Sequence, residues 1–551
     1  MDKIWLESYQ QGVPHEINLD EYSSLVELFS KACNTHAMQP AYVNMGSTLL
    51  FSDLDRHSKQ LANYLQSLGL RKGAKVGIMM PNLLQYPVAI YAILRAGYIV
   101  VNINPLYTSE ELSYQMNDSG AEVLLILANF IKTVEHAMQD MPLLKQVIVT
   151  EIGDLFPTIK RIAVNTVVKY IKKMVPSYRI SNAVTFNQAL QIGKKNTLQP
   201  TEITHDSIAF IQYTGGTTGV SKGAMLTHGN MLANILQASA WISPMSVSSN
   251  DIVVTALPLY HIFSLTANCL TFLKAGAKNI LITNPRDITG FINEIKHTGF
   301  TAITGVNTLF NAMLNHPKFS TIDFSKLKLA LSGGMALQKS VSKRWREQTH
   351  SPILEAYGLT EASPAVAINP VYLTEYNGSI GLPLPSTDIS IRDPEGREVP
   401  LGESGELCVK GPQVMPGYWQ HPAETALVFW SDGYLRTGDI ANMDKQGFIY
   451  LIDRIKDMIL VSGFNVYPNE VEQVISLMPG VLEVGVIGIT DKDSLEKVKA
   501  CIVKRDPSLT AEQVIAHCRE HLTAYKIPKA VEFYEELPKT NVGKILKRAL
   551  K

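Results

Sequence analysis

The 551-residue sequence predicts an α/β protein, with a large N-terminal domain of layered α/β sheets plus a β subdomain and a small α+β C-terminal domain. Three observations carry this. Runs of strand length alternate with segments of helical period over most of the chain. Beyond about residue 378 the texture changes to short runs between glycine and proline turns. After a dense charge cluster at 453–457, a compact set of helix and strand signals closes the chain. In order, 25–33 and 53–68 have helical patterning, 75–80 reads as a strand, 84–96 as a helix and 98–103 as a strand. Strand-then-helix units recur at 121–127, 251–256 and 302–314, which favours helices packed on mostly parallel sheets. Gly381, Pro383, Pro385, Gly396, Gly402, Gly405 and Gly411 punctuate an antiparallel β region. A strand at 448–452 leads into Asp453-Arg454-Ile455-Lys456-Asp457, where the boundary is set: one domain over 1–453, a second over 454–551. The second comprises a helix at 470–478, strands at 481–489 and 497–503, and a helix at 511–522.

Hydrophobic residues make up 46% and charged residues 18%, ordinary for large globular cores. Fifty basic residues balance fifty acidic ones, so no global field selects nucleic acid or membrane. Cys33, Cys269, Cys408, Cys501 and Cys518 show no C-x-x-C spacing, which fits a reduced cytoplasmic protein and argues against a disulfide framework or a zinc site. The opening MDKIWLESYQQG lacks the apolar region of a secretory signal. The most apolar window, 88–101, is interrupted by Arg95 and is too short to span a bilayer. One local imbalance stands out: residues 155–201 hold eight lysines and arginines and no acid. Val164, Val168, Ile171 and Val175 follow helical spacing, with Lys169 and Lys173 opposite. Two readings stand, a basic amphipathic helix on an anionic membrane surface and an ordinary surface helix with a solvated basic face.

The stretch at 213–224, YTGGTTGVSKGA, lies between an apolar run at 208–211 and a helical segment at 230–241. Its glycines let backbone amides approach an anion, and its hydroxyls and Lys222 add donors and charge, so it reads as a phosphate cradle. It fails the G-x-x-x-x-G-K-[ST] pattern, because Lys222 is followed by Gly223, which points away from kinases and GTPases. Further segments add chemistry. LPLYHIF sets His261 in an apolar, aromatic run, where it reads first as a core histidine. LSGGM exposes bare backbone at Gly333 and Gly334. YGLTE joins Tyr357, Gly358, Thr360 and Glu361, whose carboxylate suits Mg²⁺; the plainer reading makes Thr360 a helix cap. TGD offers Asp439 to a ribose diol, and the tail PKTNVGK begins a run of basic residues without an acid.

These six segments, in this order and spacing over essentially the whole chain, resemble the acyl-adenylate-forming superfamily of acyl-CoA synthetases, luciferases and peptide-synthetase adenylation domains. More narrowly, YTGGTTGVSKGAMLTH, LPLYHIF, AITGVNTLFNA, DRIKDMILVSGFNVYPNEVE and LPKTNVGKIL resemble the bacterial long-chain fatty acid–CoA ligases, as do MDKIW at the start and PNLLQYPVA at 81–89. The resemblance implies two half-reactions. A fatty acid carboxylate attacks the α-phosphate of ATP to give acyl-AMP and pyrophosphate, and the thiol of CoA then displaces AMP. It implies that Tyr213, Thr214, Gly215, Gly216, Thr217, Thr218, Gly219, Val220, Ser221, Lys222, Gly223 and Ala224 form the ATP loop. Thr217 and Glu361 would handle Mg²⁺, and Gly333, Gly334 and Tyr357 would enclose adenine, with Gly358 and Thr360 beside them. Asp439 would bind ribose with Arg454, and Lys544 would bridge the carboxylate and the α-phosphate. Lys456 would be the hinge of a mobile small domain. Ser462, Gly463 and Phe464 would line the CoA path, with His261 as the gate to it.

The expected setting is cytoplasmic, peripheral to the inner membrane through Lys160 to Arg179, and the resemblance allows a homodimer. The acyl group rests on resemblance around 301–314 and on apolar Ile262, Phe263 and Leu265, so medium-chain and aryl acids stay open. An amino-acid adenylation domain is disfavoured, since no carrier domain follows. A ligase delivering to a carrier protein would show a long insertion before the small domain. A non-catalytic fatty-acid-binding or uptake protein would not need Glu361, Asp439, Arg454 and Lys544 together.

Overall fold

A computed structural model describes residues 3–214, 221–461, 464–490, 496–540 and 543–550. The β-branched runs of the N-terminal half assemble into two large sheets. In a seven-stranded sheet, strands Lys75–Met79, Ile99–Asn102, Ala121–Leu127, Gln146–Thr150, Ala183–Thr185 and Ile208–Thr214 pair in parallel, and Lys222–Thr227 returns antiparallel at the edge. A nine-stranded sheet has a parallel centre of Lys278–Leu281, Ile252–Thr255, Ala302–Gly305, Leu329–Gly333 and Ile353–Gly358. Parallel strands need crossover helices on both faces, and those helices bury both sides of each sheet. Helix Gln85–Arg95 is the extreme case: it is apolar nearly all round and fully buried up to Arg95, whose guanidinium ends it on Asp55 at 2.6 Å.

The glycine-rich region beyond 378 forms the four-stranded antiparallel sheet Asp388–Arg392, Gly405–Lys410, Leu435–Met443 and Ile449–Arg454. The small C-terminal domain has its own sheet, with Val481–Thr490 and Glu496–Lys504 antiparallel and Ala530–Tyr534 parallel to the latter. Helices Pro468–Ser476 and Ala511–His521 cover it over a separate core that includes Ile459, Val471, Ile475, Val486 and Val514. The expected elements therefore appear, with ends differing by one to three residues. All five cysteines are buried and free. No helix among the described residues is long and apolar enough to cross a membrane.

The basic segment needs correction. Helix Thr158–Thr166 runs into a π-helical turn, Val167–Ile171, and stops at Lys172, followed by Lys173 at φ +53°. The wider π turn breaks the 3.6-residue register, so the expected stripe does not form. Val164 packs inward and Val175 lies beyond the helix against a different core, while Ile171 turns to solvent. The apolar side chains that remain outward in this segment are Ile159, Ile162, Val167, Tyr170, Ile171 and Met174.

Candidate active site

The glycine-rich segment is the connection of a hairpin. Tyr213 pairs with Gly223 and Thr214 with Lys222, so the chain leaves and returns at one point on the sheet edge. Gly215, Gly216, Thr217, Thr218, Gly219 and Val220 lie outside the described residues. The ends are anchored: Ser221 donates its hydroxyl to the Thr214 carbonyl, and Tyr114 donates to the Ser221 carbonyl at 2.9 Å. Tyr213 donates to Asp118, whose other oxygen lies 3.1 Å from His421 Nε2. Gly223 and Ala224, read from sequence as the loop's end, are instead buried in strand Lys222–Thr227.

The carboxyl ends of the parallel strands bring the other motifs together, where α/β sheets place their ligands. Strand Ile353–Gly358 ends in Tyr357 and Gly358 and leads into a 3-10 turn, Thr360–Ala362. Leu359 holds the capping position, so Thr360 is the turn's first residue and not its cap. Glu361 accepts from the Tyr418 hydroxyl at 2.6 Å, and Lys222 Nζ stands 5.7 Å from the centroid of the same ring. Tyr418 thus ties Glu361 to the hairpin. The sequence reading missed it, although P-G-Y-W at 416–419 is an aromatic signal. With Oε1 on Tyr418, Glu361 has a second carboxylate oxygen to offer, and a hard cation also bound by substrate phosphates needs few protein oxygens, so this donor fits Mg²⁺.

Tyr357 donates to Asp439 at 2.5 Å, and the other Asp439 oxygen lies 3.3 Å from Arg454 Nε. Asp439 and Arg454 are register partners on neighbouring antiparallel strands, which explains the pairing across fifteen residues of sequence. Burial and the Asp439 charge keep the Tyr357 phenol protonated. Lys544 reaches into this cluster from the tail. Gly334, at φ +79°, lies beside the lysine stem: a Cβ there would stand 3.5 Å from Lys544 Cε, an ordinary contact distance, so it is the left-handed backbone that favours glycine. Burial, followed by the nearby Arg454 and Lys456 charges, lowers the Lys544 pKa to about 8 against the pull of Asp439.

His261 caps the short helix Ile262–Ser264, its Nδ1 accepting from Phe263 N at 3.3 Å. The residue is half-buried. Burial and the Lys544 charge push its pKa down to about 3, so it is neutral and unsuited to donate a proton at neutral pH. Gly333, by contrast, packs under Phe263 and Ala356. Lys456 sits in the turn Ile455–Asp457 directly after strand Ile449–Arg454. Phe464 is exposed and stacks on Tyr525 of the small domain at 4.8 Å between centroids. No hydrogen bond or ring contact joins Phe464 to the Lys544 cluster among the described residues. Ser462 and Gly463 lie outside the described residues. A surface cavity of about 670 Å³ between Tyr9, Val371, Tyr372 and Phe448 contains none of these groups.

Comparison with known proteins places the chain's sequence and fold. A model of the AMP-binding enzyme family matches residues 29–419, and one of the AMP-binding enzyme C-terminal domain matches 470–544. A long-chain-fatty-acid–CoA ligase of Salmonella typhimurium is 54% identical over 552 residues, covering 100% of this chain and 98% of that protein. One of Haemophilus influenzae is 50% identical over 555 residues, with 100% and 98% covered. Among solved structures, the anthranilate CoA ligase AuaEII in complex with anthranoyl-AMP superposes with a TM-score of 0.85 at 25% identity, covering 97% of this chain and 98% of that one.

Proposed function

The chain belongs to the AMP-binding enzyme family, and from that premise we propose how its residues divide the work of a long-chain fatty acid–CoA ligase. The enzyme activates a fatty acid with ATP as acyl-AMP and passes the acyl group to CoA. The observation that carries the division of labour is the convergence of Lys544, Asp439, Arg454 and Tyr357 at the carboxyl ends of the parallel strands. In the first half-reaction a carboxylate oxygen forms a bond to the α-phosphorus, the bond to the bridging oxygen breaks, and pyrophosphate leaves with the electron pair. In the second, the CoA sulfur bonds to the acyl carbon and AMP departs.

Charge placement dominates such transfers. Lys544 supplies an ammonium where negative charge from the carboxylate and the phosphate must approach. Asp439, held by Tyr357 and Arg454, is the acceptor for a ribose diol, and the exposed backbone at Gly334, next to the buried Gly333, offers an edge for adenine. The hairpin connection with Thr214, Ser221 and Lys222 is the clamp for the departing pyrophosphate. Mg²⁺, held by Glu361 and Thr217, would offset phosphate charge. Lys456 is the hinge between a 1–453 body and a 454–551 domain, supported by its position at the end of the last strand of the large domain. His261 acts by position, and Ser462, Gly463 and Phe464 line the path of CoA. The chain-length reading is tested by thioester formation across saturated acids from acetate upward. Each methylene buried in an apolar tunnel adds about 0.8 kcal/mol. The rate constant kcat/KM should therefore climb steeply with chain length, and a preference for short or aryl acids would overturn the reading.

A pH dependence follows. Lys544 is charged below its pKa of about 8 and neutral above it. The kcat/KM for acyl-AMP formation, which reports the free enzyme, should fall as pH rises through about 8. In Lys544→Arg the fall at that pH should vanish, whatever the residual rate. A fall unchanged in the arginine variant would assign the titration to another group.

Peripheral binding to an anionic membrane belongs to the same proposal. It is supported by outward Ile159 (87% exposed) and Ile171 (71%) beside the acid-free basic run from Lys160 to Arg179. Each buried isoleucine is worth about 1.5–3 kcal/mol and each lysine near the surface about 1 kcal/mol. Ile159→Ser with Ile171→Ser should weaken binding to phosphatidylglycerol vesicles at least tenfold. Neutralising Lys169, Lys172 and Lys173 should weaken it further and flatten its salt dependence. Salt-insensitive or absent vesicle binding would leave an ordinary surface helix. Self-association as a homodimer is checked by the mass in solution.

A further inference from the structure

In this structure the small domain stands with Lys544 turned inward, and what holds it there is sparse. Among the described residues, hydrogen bonds from the large body to the small one run through few groups. At the hinge Asp453 accepts from Asn469 N at 2.8 Å and the Ile452 carbonyl accepts from Asn469 Nδ2 at 3.4 Å, and Gln473 meets the Tyr376 hydroxyl at 3.2 Å. The other two start from one face of helix Asn307–Leu314. Thr308 donates its hydroxyl to the Gly543 carbonyl at 2.9 Å, and Asn311 donates Nδ2 to the Leu482 carbonyl at 3.1 Å.

Two details show that this face is built for the contact. Asn311 Oδ1 accepts from Arg344 at 3.2 Å and from Asn315 at 3.1 Å; because a guanidinium can only donate, the amide nitrogen must face Leu482. Gly543, the residue before Lys544, is at φ +84°, and a Cβ there would lie 2.9 Å from Thr308 Oγ1 and 3.3 Å from Val306 Cγ2. The tail can therefore seat on the helix this closely only with glycine at this position. Lys544 N bonds Thr540 Oγ1 at 3.1 Å and Thr540 N bonds the Lys544 carbonyl, so the Lys544 turn is held as a unit.

We propose that Thr308 and Asn311 form a dock that seats the tail loop and aims Lys544 for adenylation, Thr308 being a positioning residue for the first half-reaction alone. The inference rests on the role given to Lys544 above. A polar dock of two hydrogen bonds suits a domain that must leave again: it biases the equilibrium between poses without trapping one.

The test measures two rates on the full-length enzyme: pyrophosphate release in a single turnover with ATP and palmitate, and thioester formation from supplied palmitoyl-AMP and CoA. Thr308→Val keeps the shape and removes the donor. One lost hydrogen bond predicts about a five- to tenfold slower first step, with KM for ATP little changed and the second step within twofold of wild type. Thr308→Ser should restore the first step. The retained second step shows that the variant is folded. Both steps falling together, or neither falling, would overturn the dock. Lys544→Ala, run in parallel, separates the two ideas. If it loses the first step while Thr308→Val keeps it, only the dock fails; if it keeps the first step, the assignment of Lys544 itself fails.

Discussion

Lys544→Ala is expected to cut acyl-AMP formation by about 10²–10³-fold, the scale for loss of one preorganised charge or donor at a developing charge. It should leave CoA transfer from supplied acyl-AMP nearly intact. The asymmetry is the informative part. In the structure Lys544 Cε stands beside Gly334, and its ammonium shares a field with Arg454, Asp439 and Lys456. Truncation removes positive charge from the place where a carboxylate must meet a phosphate, two groups that otherwise repel. No such repulsion opposes a thiol at an acyl carbon, so the second step should not depend on this ammonium. Pyrophosphate release, measured by rapid quench, reports the first step, and thioester formation from synthetic palmitoyl-AMP reports the second. Normal pyrophosphate release in the variant would refute the assignment.

Lys456→Pro should produce the mirror image. Lys456 sits in the 3-10 turn Ile455–Asp457, and proline fixes φ near the value such turns adopt. The substitution is compatible with φ in the observed pose and opposes rotation away from it. Adenylation should stay within a few-fold of wild type, while acyl transfer to CoA should fall by at least 10²-fold, because Phe464 and its neighbours could not be carried to the site. Equal loss of both steps would indicate misfolding or a hinge placed elsewhere. Together the two variants separate the half-reactions from opposite sides.

What the sequence makes legible follows from how local each signal is. Strands such as 121–127 and helices such as 25–33 carry their period within one segment, so the layered α/β architecture could be read directly. The glycine-rich hairpin, Asp439 and Lys544 were legible because chemistry that needs a particular residue type leaves it inside a short motif. Contacts made by ordinary residues across long separations leave no such trace. Tyr418 on Glu361 spans 57 positions, and Thr308 on Gly543 spans 235. Asp118 under Tyr213 is equally silent, since only sheet packing brings helix Ser109–Ser119 beside the hairpin. The basic segment failed for another reason. Its apolar spacing assumes 3.6 residues per turn, whereas a π turn and an early stop at Lys172 rotate Ile171 outward and drop Val175 from the helix.

Activation and transfer are separate reactions at one site, and the first is complete without CoA. The most direct measurement is exchange of labelled pyrophosphate into ATP by the wild-type enzyme with palmitate present and CoA absent. Exchange that depends on palmitate and disappears in Lys544→Ala is the predicted result. No exchange without CoA, or ADP in place of AMP as the product, would contradict it.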